Sequence, residues 1–296
     1  MSPAQAAELL KAGQLVAIPT ETVYGLAADA TQEAAVRSVF QLKGRPADHP
    51  LIVHLGSAEW AAHWGVLPSA FTSLATRFWP GPLTMVVPRL ARVSSLITGG
   101  QDSVALRVPR HPLTLELLRH LGEPVVAPSA NRFGHTSPTR AEHVHSEFPD
   151  LPVLDGGPCP IGLESSIVDL TGPQPRLLRP GQISREELEE VLGPLASSVA
   201  GAPRVPGALD RHYAPRTSTY WDCGQEPGGR WGWLGFRPRG ASAEIVMPDS
   251  AAEYGARLYA ALRELDRADL ELILVERPPE SAEWEAVRDR LRRAVG

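Results

Sequence analysis

The sequence predicts an α/β protein: a twisted, mixed or mostly parallel sheet covered by helices, followed by a smaller α/β unit. Short apolar runs typical of buried strands alternate with segments whose apolar residues recur at helical spacing. The alternation breaks once, in a stretch rich in proline, glycine and alanine, and then resumes. With 296 residues, of which 43% are hydrophobic, the chain is long enough to fill a core in each of two domains.

Helices and strands follow one another in the order that this class requires. Capping boxes beginning at Ser2 and Ser184 open two helices, which Gly13 and Gly193 close. The predicted helices cover 2–12, 32–42, 113–121, a segment from about 138 opened by Ser137 and Pro138, 184–192, about 250–266 and a segment from about 281. The predicted strands cover 15–18, 50–55, 83–88, 103–109, 124–128, 152–156, 166–170, 175–180, 231–236, 243–248 and 270–276.

A linker divides the chain into two parts. Residues 194–216 show neither helical nor strand periodicity, and their composition is typical of a connection. We therefore predict a larger domain over 1–193, a linker over 194–216 and a smaller, Rossmann-like α/β domain over 217–296.

Charge and composition narrow the function classes. The net charge of -5 argues against sequence-blind binding to nucleic acid, which depends on many cations. No apolar stretch approaches the roughly 20 residues of a membrane-spanning helix, and no secretory signal is visible, so we expect a cytoplasmic protein that does not bind membranes. Cys159 and Cys223 lie far apart without nearby metal-ligand spacing, so no protein metal site is predicted.

Two cations in KGRP, Lys43 and Arg45, lie between a predicted helix and a predicted strand. Lysine supplies a compact charge and arginine a planar fork, so together they could hold phosphate oxygens. The structural alternative is a favourable interaction with the carboxyl end of the helix dipole.

The segment APSAN follows a predicted strand and leads into a loop rich in small and hydroxyl residues. Ser129 and Asn131 are candidate hydrogen-bond donors there, because loops beyond strand ends commonly form ligand crevices. A turn in which both side chains satisfy their own backbone explains the same residues.

Other candidates are polar residues in apolar surroundings. Arg107 and Arg179 lie in apolar strands, where either an exposed edge or an anionic ligand would explain them. His54 shares a strand face with Ile52 and could be structural. Tyr213, between basic residues of the linker, could contact a ligand or simply pack. No Walker-type phosphate loop, GxGxxG fingerprint or GxSxG elbow occurs, so a nucleotide would be held by scattered side chains.

Taken in order, these motifs resemble one family. The chain is similar to the YrdC-like family of L-threonylcarbamoyladenylate synthases, in their longer, two-domain form. The resemblance rests on seven segments, which are PTETVYGLAADA, KGRPADHPLIVHL, WPGPLTMVV, VALRVPRHP, PVVAPSANRFGHTSPT, GLESSIVDL and LLRPGQIS, and on RHYAP in the linker.

The resemblance implies a YrdC-like catalytic domain and a reaction in which L-threonine, bicarbonate or carbon dioxide, and ATP give threonylcarbamoyl-adenylate and pyrophosphate. Mg²⁺ would accompany ATP without dedicated protein ligands. A separate downstream transferase complex would then modify the tRNA adenosine next to the anticodon, so tRNA is expected only as an indirect partner.

The resemblance also assigns residues. The implied catalytic residues are Lys43, Arg45, Ser129 and Asn131. The implied threonine-binding residues are Thr22, His54, Arg107 and Ser165. The implied ATP-binding residues are Arg45, His49, Ser129, Ser137, Arg179 and Tyr213. The hydroxyls of PTETVYG are expected to form one wall of the pocket. His49 stands where the family usually has asparagine, which would make nucleotide affinity pH-sensitive if the imidazole were protonated. Catalysis is expected to be electrostatic and positional, without a covalent nucleophile.

Two other functions are kept as alternatives. One is an RNA-binding or ribosome-associated module without catalysis, which the acidic balance disfavours. The other is an enzyme that makes a simpler carbamoyl-adenylate, as related domains in hydrogenase maturation proteins do; the chain lacks their additional segments.

Overall fold

The computed structural model describes residues 1–197, 201–207, 209 and 211–296. Two α/β domains are visible, each with its own sheet. The helices are α1 (Pro3–Lys11), α2 (Glu33–Lys43), α3 (Ser69–Phe78), α4 (Ser95–Thr98), α5 (Pro112–Leu121), α6 (Ala141–Glu147), α7 (Arg185–Leu192), α8 (Ala251–Asp266) and α9 (Glu285–Ala294), with short 3-10 helices at Ala58–His63 and Ala282–Trp284. The strands are β1 (Val16–Ile18), β2 (Gly25–Asp29), β3 (Ile52–His54), β4 (Leu83–Pro88), β5 (Ser103–Arg107), β6 (Val125–Val126), β7 (Ser166–Asp169), β8 (Arg176–Arg179), β9 (Thr219–Trp221), β10 (Trp231–Gly235), β11 (Ala243–Val246) and β12 (Leu272–Val275).

The first domain is built on an eight-stranded sheet in the order β1-β2-β6-β3-β5-β4-β7-β8. The sheet is mixed, as predicted: β3 pairs with β5 and β4 with β7 in parallel, whereas the other neighbours are antiparallel. One face is packed by helices around a large apolar core. On the other face, Ile52, Ala105 and Ile167 pack against Val205 of the linker. Because side chains alternate along a strand, His54 and Arg107 emerge on that same face.

Local sequence signals set the helix ends that matter for the site. The capping boxes at Ser2 and Ser184 are both formed. Helix α2 ends at Gly44, which adopts φ 63° and turns the chain sharply. Lys43 is therefore the last helical residue, while Arg45 lies beyond the turn.

The smaller domain is a four-stranded sheet in the order β11-β10-β12-β9, and all of its pairs are parallel. Its core includes residues of α8 and α9 and also takes in Val23 and Leu163 of the first domain and Tyr213 of the linker. Gly162 approaches α8 so closely that a Cβ there would lie 2.6 Å from Ala256 Cα. The two domains therefore share a packed seam.

Some element predictions were wrong. Residues 152–156 form only a single bridge, between Val153 and Ala17, instead of a strand. Helix α6 begins at Ala141, after the predicted start, because Ser137 donates its hydroxyl hydrogen to Glu164 and does not cap a helix. Strands β2 and β9 and helices α3 and α4 were not predicted. The sequence of β2, GLAAD, directly follows the hydroxyl-rich residues of its motif and consists mainly of small residues, which are not typical of a strand.

The predicted domain limits stay a prediction. Leu188 and Leu195 pack into the core of the first domain, on either side of position 193. Within the predicted linker, positions 198–200, 208 and 210 lie outside the described residues, and the described part includes the buried side chains of His212 and Tyr213. Among the described residues, no helix is both long and apolar enough to cross a membrane.

Candidate active site

A cavity of about 50 Å³ lies between the sheet face and the linker. Most of the predicted site residues line it, although they come from distant parts of the chain. Its polar lining consists of Thr20, Thr22, Arg45, His54, Arg107, Ser129, Glu164, Ser165, Arg179, His212 and Tyr213. The shared strand face explains part of this convergence, because His54 and Arg107 are register partners in the parallel pair β3–β5.

Arg107 is oriented by three hydrogen bonds. It donates from Nε to the carbonyl of Gly81 (3.3 Å), from Nη1 to Thr22 Oγ1 (3.0 Å) and from Nη2 to Glu21 Oε1 (2.7 Å). A guanidinium has five N–H groups. In these contacts one hydrogen on each Nη is left over, which suits two-pronged binding of a carboxylate.

Glu21 is the buried counter-ion that compensates the charge of Arg107 inside the protein. Its other oxygen, Oε2, accepts the backbone N–H of Arg110 at 3.0 Å. Burial alone would raise the pKa of Glu21, but the charge and hydrogen bond of Arg107 hold that pKa below its ordinary value. The carboxylate therefore stays ionised and keeps Arg107 in position.

The loop before β2 is shaped by Thr20. Its hydroxyl donates to the carbonyl of Val23 (2.6 Å), lies 2.8 Å from Thr22 Oγ1 and accepts backbone N–H groups of Thr22 and Val23. This local bonding turns Thr22 toward the cavity. Tyr24 does not contribute to the cavity wall, because its hydroxyl reaches the other way to Asp155 and Gly157. The expectation that all PTETVYG hydroxyls form the wall was therefore too broad.

Ser165 and Arg179 form another part of the cavity wall. Ser165 Oγ is 2.7 Å from Thr84 Oγ1 and accepts a hydrogen bond from Arg179 Nη2 at 3.1 Å. Arg179 also donates from Nη1 to the carbonyl of Pro206 in the linker. Burial lowers the pKa of Arg179, although an arginine so shifted remains a cation at neutral pH.

Arg45 faces the cavity from beyond α2. It donates from Nη2 to the carbonyl of Pro50, its guanidinium lies 5.6 Å from the centre of the Phe133 ring, and its buried Nε has no partner among the described residues. Burial lowers its pKa to about 10, so it stays charged near neutral pH. An unpaired N–H on a buried cation is suited to an anionic ligand.

Four predicted site residues are not on the cavity surface. Lys43 lies behind it and donates to the carbonyls of Ser129 and Asn131; burial first, and Arg45 next, place its pKa well below the ordinary value. The amide nitrogen of Asn131 donates to the carbonyls of Arg132 and His135, while its Oδ1 is unpartnered in the described structure. Ser137 is bound to Glu164. His49 meets the Phe133 ring edge-on.

Three imidazoles surround the site, and burial keeps each of them neutral. Burial, followed by the charge of Arg107, lowers the pKa of His54 to about 3. Burial lowers the pKa of His212 to about 3 as well. Burial and the charge of Arg45 lower the pKa of His49, so the pH sensitivity expected of this residue would be confined to acidic solution.

Three residues in or beside the site were not assigned to it from the sequence: Glu164 and His212 line the cavity, and Glu21 lies behind it as the partner of Arg107. Glu21 and Glu164 each stand next to a predicted threonine contact, and His212 precedes Tyr213. A buried acid beside a buried base was a usable signal, because apolar strands holding Arg107 and Arg179 require counter-charges. Tyr213 itself adopts φ 62°, which carries its ring against that of Tyr259 with 5.6 Å between centroids.

Two family models divide the chain between them. A model for Sua5, YciO and YrdC proteins, described as "Telomere recombination", matches residues 8–181. A model described as "Threonylcarbamoyl-AMP synthase, C-terminal domain" matches residues 183–296.

Relatives match over nearly the whole length. A threonylcarbamoyl-AMP synthase of Pyrococcus abyssi is 40% identical, with 98% of this chain and 93% of that protein covered. One of Bacillus subtilis is 38% identical, with 99% and 92% covered. The crystal structure of P. abyssi Sua5 complexed with L-threonine superposes with a TM-score of 0.93 at 39% identity, covering 99% of this chain and 93% of that one. The chain belongs to the Sua5, YciO and YrdC family and carries that family's Sua5-type C-terminal domain.

Proposed function

We propose that this protein is a threonylcarbamoyl-AMP synthase, which converts L-threonine, bicarbonate and ATP into threonylcarbamoyl-adenylate, pyrophosphate and water. The observation that carries the proposal is the meeting of Arg45, Arg107 and Arg179 with several hydroxyls in one cavity. Such a lining suits substrates that bring a carboxylate, a hydroxyl and phosphates together. The family membership and the curated names of the relatives support the same reaction.

Threonine binds through its carboxylate and its hydroxyl. Arg107 holds the carboxylate with its two remaining N–H groups, and Thr22, Ser165 or His54 meets the hydroxyl. A pocket built to hydrogen-bond a hydroxyl rejects valine far better than size alone would, because valine leaves buried polar groups unpaired. The threonine-bound structure of the P. abyssi protein supports this choice of amino acid.

The chemistry runs in two steps. The neutral amine of threonine attacks the carbon of bicarbonate, whose C–OH bond breaks to release water, or it adds to carbon dioxide and loses a proton to solvent; either route gives a carbamate. A carbamate oxygen then attacks the α-phosphorus of ATP, and the bond to the β-phosphate oxygen breaks to release pyrophosphate. Negative charge grows on the non-bridging and leaving oxygens, so Arg45, with Lys43 behind the wall, stabilises the transition state more than the ground state.

Mg²⁺ enters this proposal as the partner of ATP. The described residues contain no group of three or more His, Cys, Asp or Glu side chains that could hold a metal ion. Within the described lining the one carboxylate is that of Glu164, and it is already engaged by Ser137, Tyr259 and Arg290. An ion held by the phosphates themselves fits this lining, and it would neutralise phosphate charge.

Pyrophosphate release tests the proposed function. With ATP, Mg²⁺, bicarbonate and L-threonine together we expect turnover, and omission of threonine or of bicarbonate should abolish it. Serine should be a poorer substrate, and valine should stay near background. Pyrophosphate release that is indifferent to the amino acid would refute the assignment, and salt-sensitive RNA binding without any turnover would favour the alternative module.

Substitution of the two cations tests the proposed catalysis. Arg45→Ala and Lys43→Ala should each raise the barrier by about 2–4 kcal/mol, as removal of an oxyanion-stabilising donor does. The matched control is Arg37→Ala, on the exposed face of α2. If circular dichroism shows a folded variant with a nearly normal rate, the role given to that cation is wrong.

The product would pass to a downstream transferase complex, which places the threonylcarbamoyl group on tRNA adenosine. This protein would then serve tRNA without direct contact. The proposal also carries the expectation that the protein works in the cytoplasm.

A further inference from the structure

The C-terminal domain reaches the cavity wall only from behind. Every described residue that lines the cavity precedes position 214, so the smaller domain supplies none of the described lining. Its contacts with the wall residue Glu164 come from Tyr259 of α8 and Arg290 of α9, and Arg290 is the largest fully buried side chain among the described residues. A cation there needs full pairing, because leaving one unpaired in the interior is costly.

Arg290 finds its partners mainly across the seam between the domains. It donates from Nε to Glu164 Oε2 at 2.8 Å, from Nη2 to the backbone carbonyl of Glu164 at 3.3 Å and from Nη1 to the carbonyl of Pro180 at 3.0 Å. Asp289, on its own helix, accepts the remaining contact from Nη1 at 2.8 Å. The guanidinium of Arg290 thus donates to both the side chain and the backbone of the wall residue Glu164.

Glu164 in turn fixes the groups around it. Its Oε1 accepts the hydroxyl hydrogen of Ser137 at 2.6 Å, and its Oε2 also accepts that of Tyr259 at 2.9 Å. The next residue in the chain is Ser165, which lines the cavity and receives Arg179. A shift of Glu164 would therefore displace hydroxyls and a cation at the same time.

Charge makes the pairing matter for binding. Burial would raise the pKa of Glu164, but the charges of Arg290 and Arg179 hold it below the ordinary value, so the wall carries a carboxylate. Arg290 neutralises that carboxylate from outside the cavity. Without Arg290, Glu164 would repel anionic ligands or draw Arg179 away from them.

We propose that Arg290 is a positioning residue through which the C-terminal domain completes the ATP site, by cancelling the charge of Glu164 and fixing the wall that Glu164 anchors. The inference rests on the proposed function and deepens it. Substitution of Arg290 should therefore weaken ATP binding with little loss of maximal rate, because Arg290 touches no reacting atom.

The test is calorimetric binding of ATP with Mg²⁺ to the full-length protein, together with steady-state kinetics of pyrophosphate release. Arg290→Met should weaken ATP binding at least tenfold and raise KM for ATP to match, while kcat at saturating ATP changes less than threefold. Arg290→Lys should keep affinity within about threefold, because the charge stays. The matched control Arg292→Met, on the exposed side of the same helix, should change affinity less than twofold.

The decisive variant combines Arg290→Met with Glu164→Gln. If charge cancellation is the role of Arg290, removing the carboxylate should restore most of the lost affinity; a double variant that binds as weakly as Arg290→Met, or more weakly, would overturn the inference. Unchanged ATP affinity in folded Arg290→Met would overturn it too.

Two further measurements distinguish a folding defect from a loss of ATP binding, and the failure of this inference from the failure of the proposed function. If Arg290→Met does not accumulate as folded protein, the charge-free double variant decides, together with Tyr259→Phe, which removes one donor to Glu164 and should weaken ATP binding about threefold. Wild-type affinity in Tyr259→Phe and weak binding by the double variant would then refute the inference. A wild-type protein that binds ATP but does not turn over threonine would defeat the proposed function alone.

Discussion

Arg107 and Glu21 form an ion pair at 2.7 Å in which the two side chains are only 4% and 3% exposed. Such a pair loses the solvation of both charges, and it is retained at a net benefit only when both ends are fully hydrogen-bonded. Thr22, the carbonyl of Gly81 and the N–H of Arg110 supply those bonds here. Arg107 is buried despite the loss of solvation and keeps two N–H groups without a partner in these contacts, so its arrangement suits the binding of a ligand.

The first prediction concerns this pair. Glu21→Gln should lower the free energy of unfolding at pH 7 by about 3 kcal/mol, because it leaves the buried charge of Arg107 without its counter-ion. It should also raise KM for threonine, since Arg107 loses one of its anchors. Denaturant unfolding and threonine-dependent kinetics measure the two effects.

The matched control is Glu33→Gln, which breaks an equally short but exposed ion pair with Arg37 and should cost less than about 0.5 kcal/mol. The pH dependence has a definite sign. Because the pKa of Glu21 in the folded protein lies below 4.5, its stabilising contribution is present above that pH and is lost as the pH falls through the folded value. Equal effects of the two substitutions at pH 7 would contradict the buried-pair argument.

At the scale of elements, the linker is the part that closes the cavity. Pro206, Gly207, His212 and Tyr213 all line it, and the cavity of about 50 Å³ has room for only a few water molecules. ATP is far larger than this space. We expect this segment to move away from the sheet face when ATP enters, and its return would exclude water from the reaction.

The second prediction addresses that segment. Gly207 adopts φ 78°, and a Cβ there would overlap the hydroxyl of Tyr213. Gly207→Ala should therefore displace the Tyr213 ring and lower kcat/KM about tenfold or more, measured as pyrophosphate release. Gly201→Ala provides the control, since Gly201 has a similar φ of 70° with no atom close to the added Cβ. A comparable loss in both variants would show that backbone strain, and not the overlap, is responsible.

The elements also show how far a sequence can be interpreted. Strands such as β4 and helices with capping boxes were predictable because local signals decide them. Strand β2 was not, because its pairing with β6 is non-local and its small residues carry little strand propensity. The site residues were predicted through family motifs, whereas Glu21 and Glu164 became evident only once the fold placed them beside arginines.

At the scale of the whole molecule, three buried histidines couple stability to pH. Burial is the main cause that lowers the pKa of His54, His143 and His212 to about 3, and neighbouring arginine charge adds to it in each case. The unfolded chain protonates these residues near 6.5 while the folded protein does not. Stability should therefore fall as the pH drops from 6.5 toward 3, and these groups have no effect above 6.5.

The third prediction quantifies this coupling. Each such histidine contributes up to about 1.4 kcal/mol per pH unit below 6.5. His143→Gln should remove one such share from the slope of unfolding free energy between pH 6 and 5. Identical slopes in wild type and His143→Gln would show that His143 does not resist protonation in the folded state.

The contact between Gly162 and α8 has a consequence for engineering. Glycine is the one residue type that fits there, since a Cβ would meet the main chain of Ala256 and Gly255 and the backbone adopts φ 73°. Larger side chains at this position would separate the two domains sterically, by a distance that grows with side-chain size, at a point that does not line the cavity. Position 162 thus offers a way to vary how closely the two domains pack, and the effect would reach the cavity wall through the contacts that Arg290 and Tyr259 make with Glu164.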